Sequence, residues 1–377
     1  LASLGAGVMH SRSIEFAKKF GVPIVVRSSF EDGPGTTIVP SQSSSQRAVS
    51  GVALARNEAR ITVEDVPDKP GASHQLFAEL SSEGIAVDMI IQNAGSGGMA
   101  DISFTVTDEN LDSALRISTT VAESIEAAGV THNADVAKVS IVGVGMVGAE
   151  GVAATLFQAI SAAGINVHMI TTSEIKISVL VDRVNAKKCV QAAHQAFNLD
   201  GFIDASSPSE EIATQKSDPL EVVRRLEGME DLAIEDCQLD MSQALVTFFN
   251  LPNTPGVAAD VFQAVGRAGL NVDMIVQSFP RNGRAEISFT IPESDRKQAL
   301  DAVRNIASDL GANATDVPKV AKLSLTGIGI RSHAGVADKL FAPLADAGVN
   351  IDLISTSEVR VNVIVSAEHG TNSLRIL

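Results

Sequence analysis

The chain contains no tryptophan and no tyrosine, and it has two cysteines among 377 residues. Its cores must therefore be aliphatic, with 14 phenylalanines as the large aromatic side chains. Cys189 and Cys237 stand far apart in sequence. No CxxC pair or Cys/His cluster offers metal-ligand spacing, and two distant thiols make no disulfide framework. Both are expected to be reduced, which fits a cytoplasmic protein. No apolar run approaches the roughly 18 residues of a membrane span, and no signal peptide is recognisable. Basic residues are also scarce: 29 Lys and Arg against 45 Asp and Glu give a formal charge of −16. That balance argues against nucleic acid and against an anionic membrane surface as partners. HExxH, GxSxG and P-loop signatures are missing. The carboxylates show no pairing that marks acid/base work, so no catalytic or metal-binding residue is assigned.

What the chain does have is internal repetition, which decides the fold before local patterns do. VDMIIQ at 87–92 returns 185 residues later as VDMIVQ at 272–277, and DISFTV at 101–106 returns as EISFTI at 286–291. VAKVSIVGVGM (136–146) and TTSEIKISVLV (171–181) return as VAKLSLTGIGI (320–330) and STSEVRVNVIV (355–365). A constant register across four segments establishes a duplication. A weaker repeat lies within each copy. Residues 69–90, 149–170, 254–275 and 333–354 all read as a turn with glycine, an apolar helix, Gly-hydrophobic, then an apolar strand. The chain thus holds four related modules, numbered 1 to 4 in chain order, in two pairs.

Module 1 shows the grammar in full. Ala59–Val66 alternates as a strand, and PDKPG (67–71) breaks it. Asp68 is placed to cap the next helix with Pro70 in its first turn. Ala72, Leu76, Phe77 and Leu80 share one helical face, and Gly84 ends the helix. Ala86–Gln92 reads as a strand, residues 95–98 as a hairpin loop, and Ile102–Val106 as the returning strand. Leu111, Leu115 and Ile125 mark a second helix. In module 3 the hairpin turn is Asn282-Gly283, a strong two-residue signal. The expected class is α+β: four ferredoxin-like βαββαβ modules in two pairs, antiparallel sheets with helices on one face. Expected boundaries are 47–134, 135–199, 219–318 and 319–377, with linkers at 41–46 and 200–218. Residues 1–39 belong to a different unit. Because the chain starts at Leu1 inside what reads as a domain, it is expected to be a fragment of a longer polypeptide.

Two features invite a ligand. Gly143-Val144-Gly145-Met146-Val147-Gly148 matches a dinucleotide fingerprint. Its repeat partner, however, has Ser332 in place of the third glycine, and no acid ends the next strand to hold a ribose. The reading preferred for it is a tight strand-to-helix turn. The turn at Asp68, Gly71 and Ala72 opens a helix whose free N–H groups suit a carboxylate. Gln92 and Asn93 end the neighbouring strand. Asn253, Gly256, Val257, Gln277 and Ser278 repeat the set in module 3. Such a turn and strand end could hold the carboxylate and amine of an amino acid; a capped helix with polar strand ends is the plain alternative. The TTSE (171–174) and STSE (355–358) runs are kept between copies, which points to packing or signalling between modules.

The ordered segments VPDKPG, FAEL, VDMIIQN, DISFTV, VAKVSIVGVGM and INVHMITTSEIKISVLVD closely resemble the paired ACT regulatory region of the aspartate kinase family. The resemblance covers roughly 47–198 and, more divergently, 219–367. Residues 4–38 resemble the end of that family's amino-acid kinase domain, so residues 1–39 would be a short α/β remnant of it. The resemblance implies ATP-dependent phosphorylation of L-aspartate, with Mg, by the full-length enzyme, and no cofactor for this fragment, which alone would be inactive. It implies an amino-acid effector, lysine and/or threonine, and a homodimer through ACT modules, whose unpaired strand edges seek partners. Effector contacts would be Asp68, Gly71, Ala72, Gln92 and Asn93 with Asn166 in the first copy, and Asn253, Gly256, Val257, Gln277 and Ser278 with Asn350 in the second. The family's usual Lys is Gly7 here, and its Arg-Ser-His-Pro-Gly turn is Val147-Gly148-Ala149-Glu150-Gly151 in module 2. The rival expectation is a stand-alone, non-enzymatic amino-acid sensor or regulatory subunit.

Overall fold

The computed structural model describes residues 9, 13–14, 17, 21–38, 47–93, 96–146, 149–200, 233–328, 330, 335–357 and 360–377. Gly7, Gly148, Ser332, Glu358, the expected linker at 41–46 and residues 201–218 of the linker expected at 200–218 lie outside them. Within the expected kinase remnant, β1 (Ile24–Val26) and β2 (Thr36–Ile38) pair antiparallel.

The first copy contains β3 (Gly51–Pro67), α1 (Ala72–Ser82), β4 (Asp88–Gln92), β5 (Met99–Thr107), α2 (Leu111–Ser124) and β6 (Gly129–Val142). It continues with α3 (Val152–Ala162), β7 (Met169–Ser173), β8 (Lys176–Asp182) and α4 (Ala186–Ala196). The second copy repeats this order: β9 (Ala233–Pro252), α5 (Val257–Arg267), β10 (Ile275–Gln277), β11 (Arg284–Pro292), α6 (Arg296–Asp309) and β12 (Asn313–Ile328). It ends with α7 (Val336–Asp346), β13 (Leu353–Thr356), β14 (Arg360–Ser366) and α8 (Gly370–Ile376). The Asn282-Gly283 turn forms as expected, both residues having positive φ and Arg281 and Arg284 exchanging backbone hydrogen bonds.

The strands are all antiparallel, and the modules exchange pieces of them. Residues 58–67 of β3 pair with β5 in module 1, while 51–55 pair with the end of β6, which itself pairs with β8 in module 2. In the same way β9 and β12 each run from module 3 into module 4. Long strands therefore stitch two sheets together, and the backbone hydrogen bonds trace one closed circuit of twelve strands.

Besides sharing these long strands within a copy, the modules pair their sheet edges and helix faces across the two copies. Strand β4 of module 1 pairs with β13 of module 4 (Ile91 opposite Ser355), and β7 of module 2 pairs with β10 of module 3 (Thr171 opposite Val276). The helices follow: Phe77 meets Phe341 at 5.6 Å between ring centroids, and Phe157 meets Phe262 at 5.2 Å. One apolar core is built from modules 1 and 4, another from modules 2 and 3. A third core, including Met89, Ile91, Met169, Leu180, Met274, Val276, Leu353 and Ile364, lies on the opposite face, between the sheets. The period-two alternation of strands produces this division: Ile90 joins the helix-side core while Met89 and Ile91 join the other. Strand edges expected to seek a second chain are thus paired inside this one at β4–β13 and β7–β10.

Candidate effector sites

Four interface positions follow from two module pairs, each with approximate twofold symmetry. At each, the glycine-led start of one module's first helix faces the start of the second strand in the partner module.

In the first site, module 1 supplies the turn and module 4 the strand. Gly71 precedes α1 with φ 96°, a left-handed conformation that glycine adopts at little cost. The helix begins only at Ala72, so Pro70 lies outside it, and Asp68 does not cap it. Asp68 instead accepts a hydrogen bond from Asn350 Nδ2 (2.8 Å). Gln92 Nε2 donates to the Ile351 carbonyl (2.8 Å), and its Oε1 accepts from Ser73 Oγ (2.5 Å). Nearby, burial and the carboxylate of Asp68 push the Asp352 carboxyl up to about 6.

The second site repeats this with module 3 and module 2. Gly256 (φ 105°) precedes α5. Asn166 Nδ2 donates to Asn253 Oδ1 (2.9 Å), and Gln277 Nε2 donates to the Val167 carbonyl (2.9 Å). Val257, Pro255 and Thr254 line the same small cavity with Ile165 and Ser161.

Two assignments from sequence are corrected. Asn350 belongs with the first-copy turn and Asn166 with the second-copy turn, because modules pair across copies. The family resemblance, carried onto each copy separately, grouped them the other way. Asn93 and Ser278 also leave these interfaces. Each follows its glutamine on the strand and so faces the other side. Asn93 Nδ2 donates to the Glu286 carbonyl on the other sheet (3.3 Å), and Ser278 lines the inter-sheet cleft beside Phe279. In that cleft Arg60 stacks on Phe279 (3.6 Å to the centroid), Arg281 pairs with Asp65 (2.6 Å), and burial next to Asp101 pushes Glu286 up to about 7.

Modules 2 and 4 have threonine where modules 1 and 3 have glutamine. Thr172 Oγ1 accepts from the Ile275 amide (2.7 Å) and Thr356 Oγ1 from the Ile90 amide (2.8 Å), knitting each pair together. The TTSE and STSE runs meet each other: Thr171 and Ser355 share a 2.6 Å hydrogen bond between the two sheets, and Arg360 pairs with Glu174. The polar residues kept between copies thus pack modules together, one of the two roles the sequence suggested for them.

The dinucleotide-like turn has a structural explanation. A Cβ at Gly143 would lie 2.0 Å from the Ala48 carbonyl oxygen, and one at Gly145 would lie 2.6 Å from that of Arg47. The backbone of residues 47–49 packs directly against both glycines, leaving no room for a side chain at either. Among the described residues no group of three His, Cys, Asp or Glu is arranged to hold a metal ion. No described helix is long and apolar enough to cross a membrane.

The fold and its paired interfaces define an ACT-domain regulatory assembly. The ACT domain model matches residues 139–197, 250–305 and 323–377. Aspartate kinase from Pseudomonas fluorescens is 44% identical over 202 residues, covering 53% of this chain and 49% of that one. Aspartokinase from Thermus thermophilus is 41% identical over 202 residues, covering 53% and 50%. The crystal structure of aspartate kinase from Synechocystis superposes with a TM-score of 0.78 at 32% identity, covering 100% of this chain and 64% of that one. By its modules, its relatives and its fold, the chain carries the ACT regulatory region of the aspartate kinase family. It spans about half the length of the relatives it matches in sequence.

Proposed function

We propose that this chain is the allosteric portion of an aspartate kinase, sensing end-product amino acids at the two asparagine-closed interfaces. The observation that carries the reading is the pair of contacts Asn350–Asp68 and Asn166–Asn253. Each lies where a helix start can take a carboxylate and where an amide or carboxylate oxygen can take an ammonium. An effector would insert between these side chains, replace their mutual bond, and so favour one arrangement of a module pair over another. The inhibition it delivers is limited by its difference in affinity for the two arrangements.

In this reading the effectors are lysine and/or threonine, and the full-length cytoplasmic enzyme phosphorylates L-aspartate with ATP and Mg bound outside the ACT modules. The 377-residue chain alone is inactive. Assembly into a homodimer would use edges other than β4–β13 and β7–β10, which are already paired. Calorimetry and thermal unfolding with lysine, threonine and methionine test the reading. A ligand at 100 times its Kd stabilises by about 2.7 kcal/mol. Binding that is lost in Asp68→Ala or Asn253→Ala supports it. Absence of heat and of any stability change with all three ligands sinks it.

A further inference from the structure

The four interface positions are not equally closed. Opposite the glycine at each helix start stands the residue three before the glycine that ends the partner's helix: Ala345 facing Gly71, Ser161 facing Gly256, Ser81 facing Gly335 and Gly266 facing Gly151. A Cβ built at Gly71 would meet Ala345 at 3.8 Å, at Gly256 it would meet Ser161 Oγ at 3.2 Å, and at Gly335 Ser81 Oγ at 2.8 Å. At Gly151 it would meet nothing within 4 Å, and the same holds at Gly266. The position aligned in sequence with Asp68 and Asn253 is Gly148, so module 2 has no side chain there to play their part. The asparagine is present: Asn271 aligns with Asn166 and Asn350, whereas the fourth interface has Ala86. A cleft lies between residues 149–154 of module 2 and 270–275 of module 3. Gly266 lies in the last turn of α5, where the other three modules carry Ser81, Ser161 or Ala345.

We propose that this cleft is a third ligand site, built for an α-amino acid with an aliphatic side chain. The free N–H groups at the start of α3 would take the carboxylate. Glu150 and Asn271 would take the ammonium. Both side chains are exposed at the cleft and have no side-chain partner among the described residues, whereas Asp273 and Glu174, which also line it, are matched by Lys322 and Arg360. Met146, Val265 and Leu270 supply the apolar floor for the side chain. The site shares no described residue with the two asparagine-closed interfaces and does not depend on their being occupied.

The test is titration calorimetry of the 377-residue chain with L-methionine, L-leucine, L-lysine and L-threonine, on wild type, Gly266→Leu and Gly266→Ser. The cleft predicts one equivalent of methionine or leucine bound in wild type. Gly266→Leu should weaken it more than tenfold. Gly266→Ser, which restores the residue found at two of the other interfaces, should weaken it less. Both variants should unfold at or above the wild-type temperature. A second background, Asp68→Ala with Asn253→Ala, should keep this equivalent while losing any heat from the other two sites. If no probe gives heat sensitive to Gly266→Leu, the third site is overturned. Lysine or threonine binding lost only in the Asp68/Asn253 background would leave the reading of the first two sites intact.

Discussion

The same lysine occurs in both copies, and its two environments make a quantitative test of burial. Lys138 lies on β6 with its side chain 1% exposed, between Glu58 (Nζ–Oε1 3.3 Å, side chain 4% exposed) and Asp88. Its repeat, Lys322 on β12, pairs with Asp273, but here the side chains are 13% and 29% exposed. Replacing Lys138 with Met keeps the length and removes the charge, which leaves two carboxylates buried without their cation. Breaking a buried pair in this way costs about 3–5 kcal/mol. The same change at Lys322 removes the cation from Asp273 and from the neighbourhood of Asp240, both within reach of water, so its cost should be nearer ~1 kcal/mol. Urea unfolding at constant m-value measures both. Lys138→Met with Glu58→Gln and Asp88→Asn should recover most of the loss, because the cost comes from the stranded charges. Equal losses at the two lysines, or a loss below about 1 kcal/mol at Lys138, would refute the reasoning that desolvation and not pairing strength sets the difference.

Three further outcomes are expected. Gly143→Ala places a Cβ 2.0 Å from the Ala48 carbonyl oxygen, an overpacking that should cost about 1–3 kcal/mol and speed tryptic cleavage after Arg47. An unchanged chain would mean that residues 47–49 do not occupy that turn. Glu286 has its carboxyl pushed from the ordinary 4.5 up to about 7 by burial and by Asp101. The folded state then holds its proton more tightly than the unfolded chain, so stability falls as pH rises from about 4.5 to about 7, by up to roughly 3 kcal/mol. Glu286→Gln should flatten that window in thermal melts against pH, and an unaltered profile would rule it out as the cause. Finally, Asn350→Ala should abolish the same ligand response as Asp68→Ala, and Asn166→Ala the same response as Asn253→Ala. Matched losses in the opposite pairing would contradict the grouping across copies.

Most of the fold was legible because the cues were local and repeated. Asn282-Gly283 gave its turn, Gly84 its helix end, and the apolar run Ala86–Gln92 its strand. The duplication multiplied each cue by two. What stayed hidden was non-local. Nothing in Asn166 or Asn350 says which turn each will face, since that depends on β7 choosing β10 and β13 choosing β4. The displacement of Asn93 and Ser278 from the sites could have been found: each sits one residue past its glutamine, and alternation puts neighbours on opposite faces. The open cleft was half-visible in Gly148 and Gly266, two glycines where repeats have side chains. Only the structure brings Gly151 and Gly266 opposite each other.

The cross-copy pairing also says what the duplication replaced. Module 4 is the repeat of module 2, and module 3 of module 1, so a lone first copy has the surfaces to pair with itself. In such a dimer module 2 of the partner would take the place of module 4, and Asn166 that of Asn350, beside Asp68. The edge of β4 and the apolar face of α1, buried here by β13 and α7, would otherwise face water. An open strand edge beside an apolar helix face is unstable alone. A fragment of residues 47–200 is therefore expected to sediment as a dimer and, with residues 219–377 added, to exchange into a heterodimer that restores the pairing in the intact chain. A folded monomer of 47–200, with its amide protons in β4 protected from exchange, would show that the two copies do not need each other and that their association here is incidental to the fold.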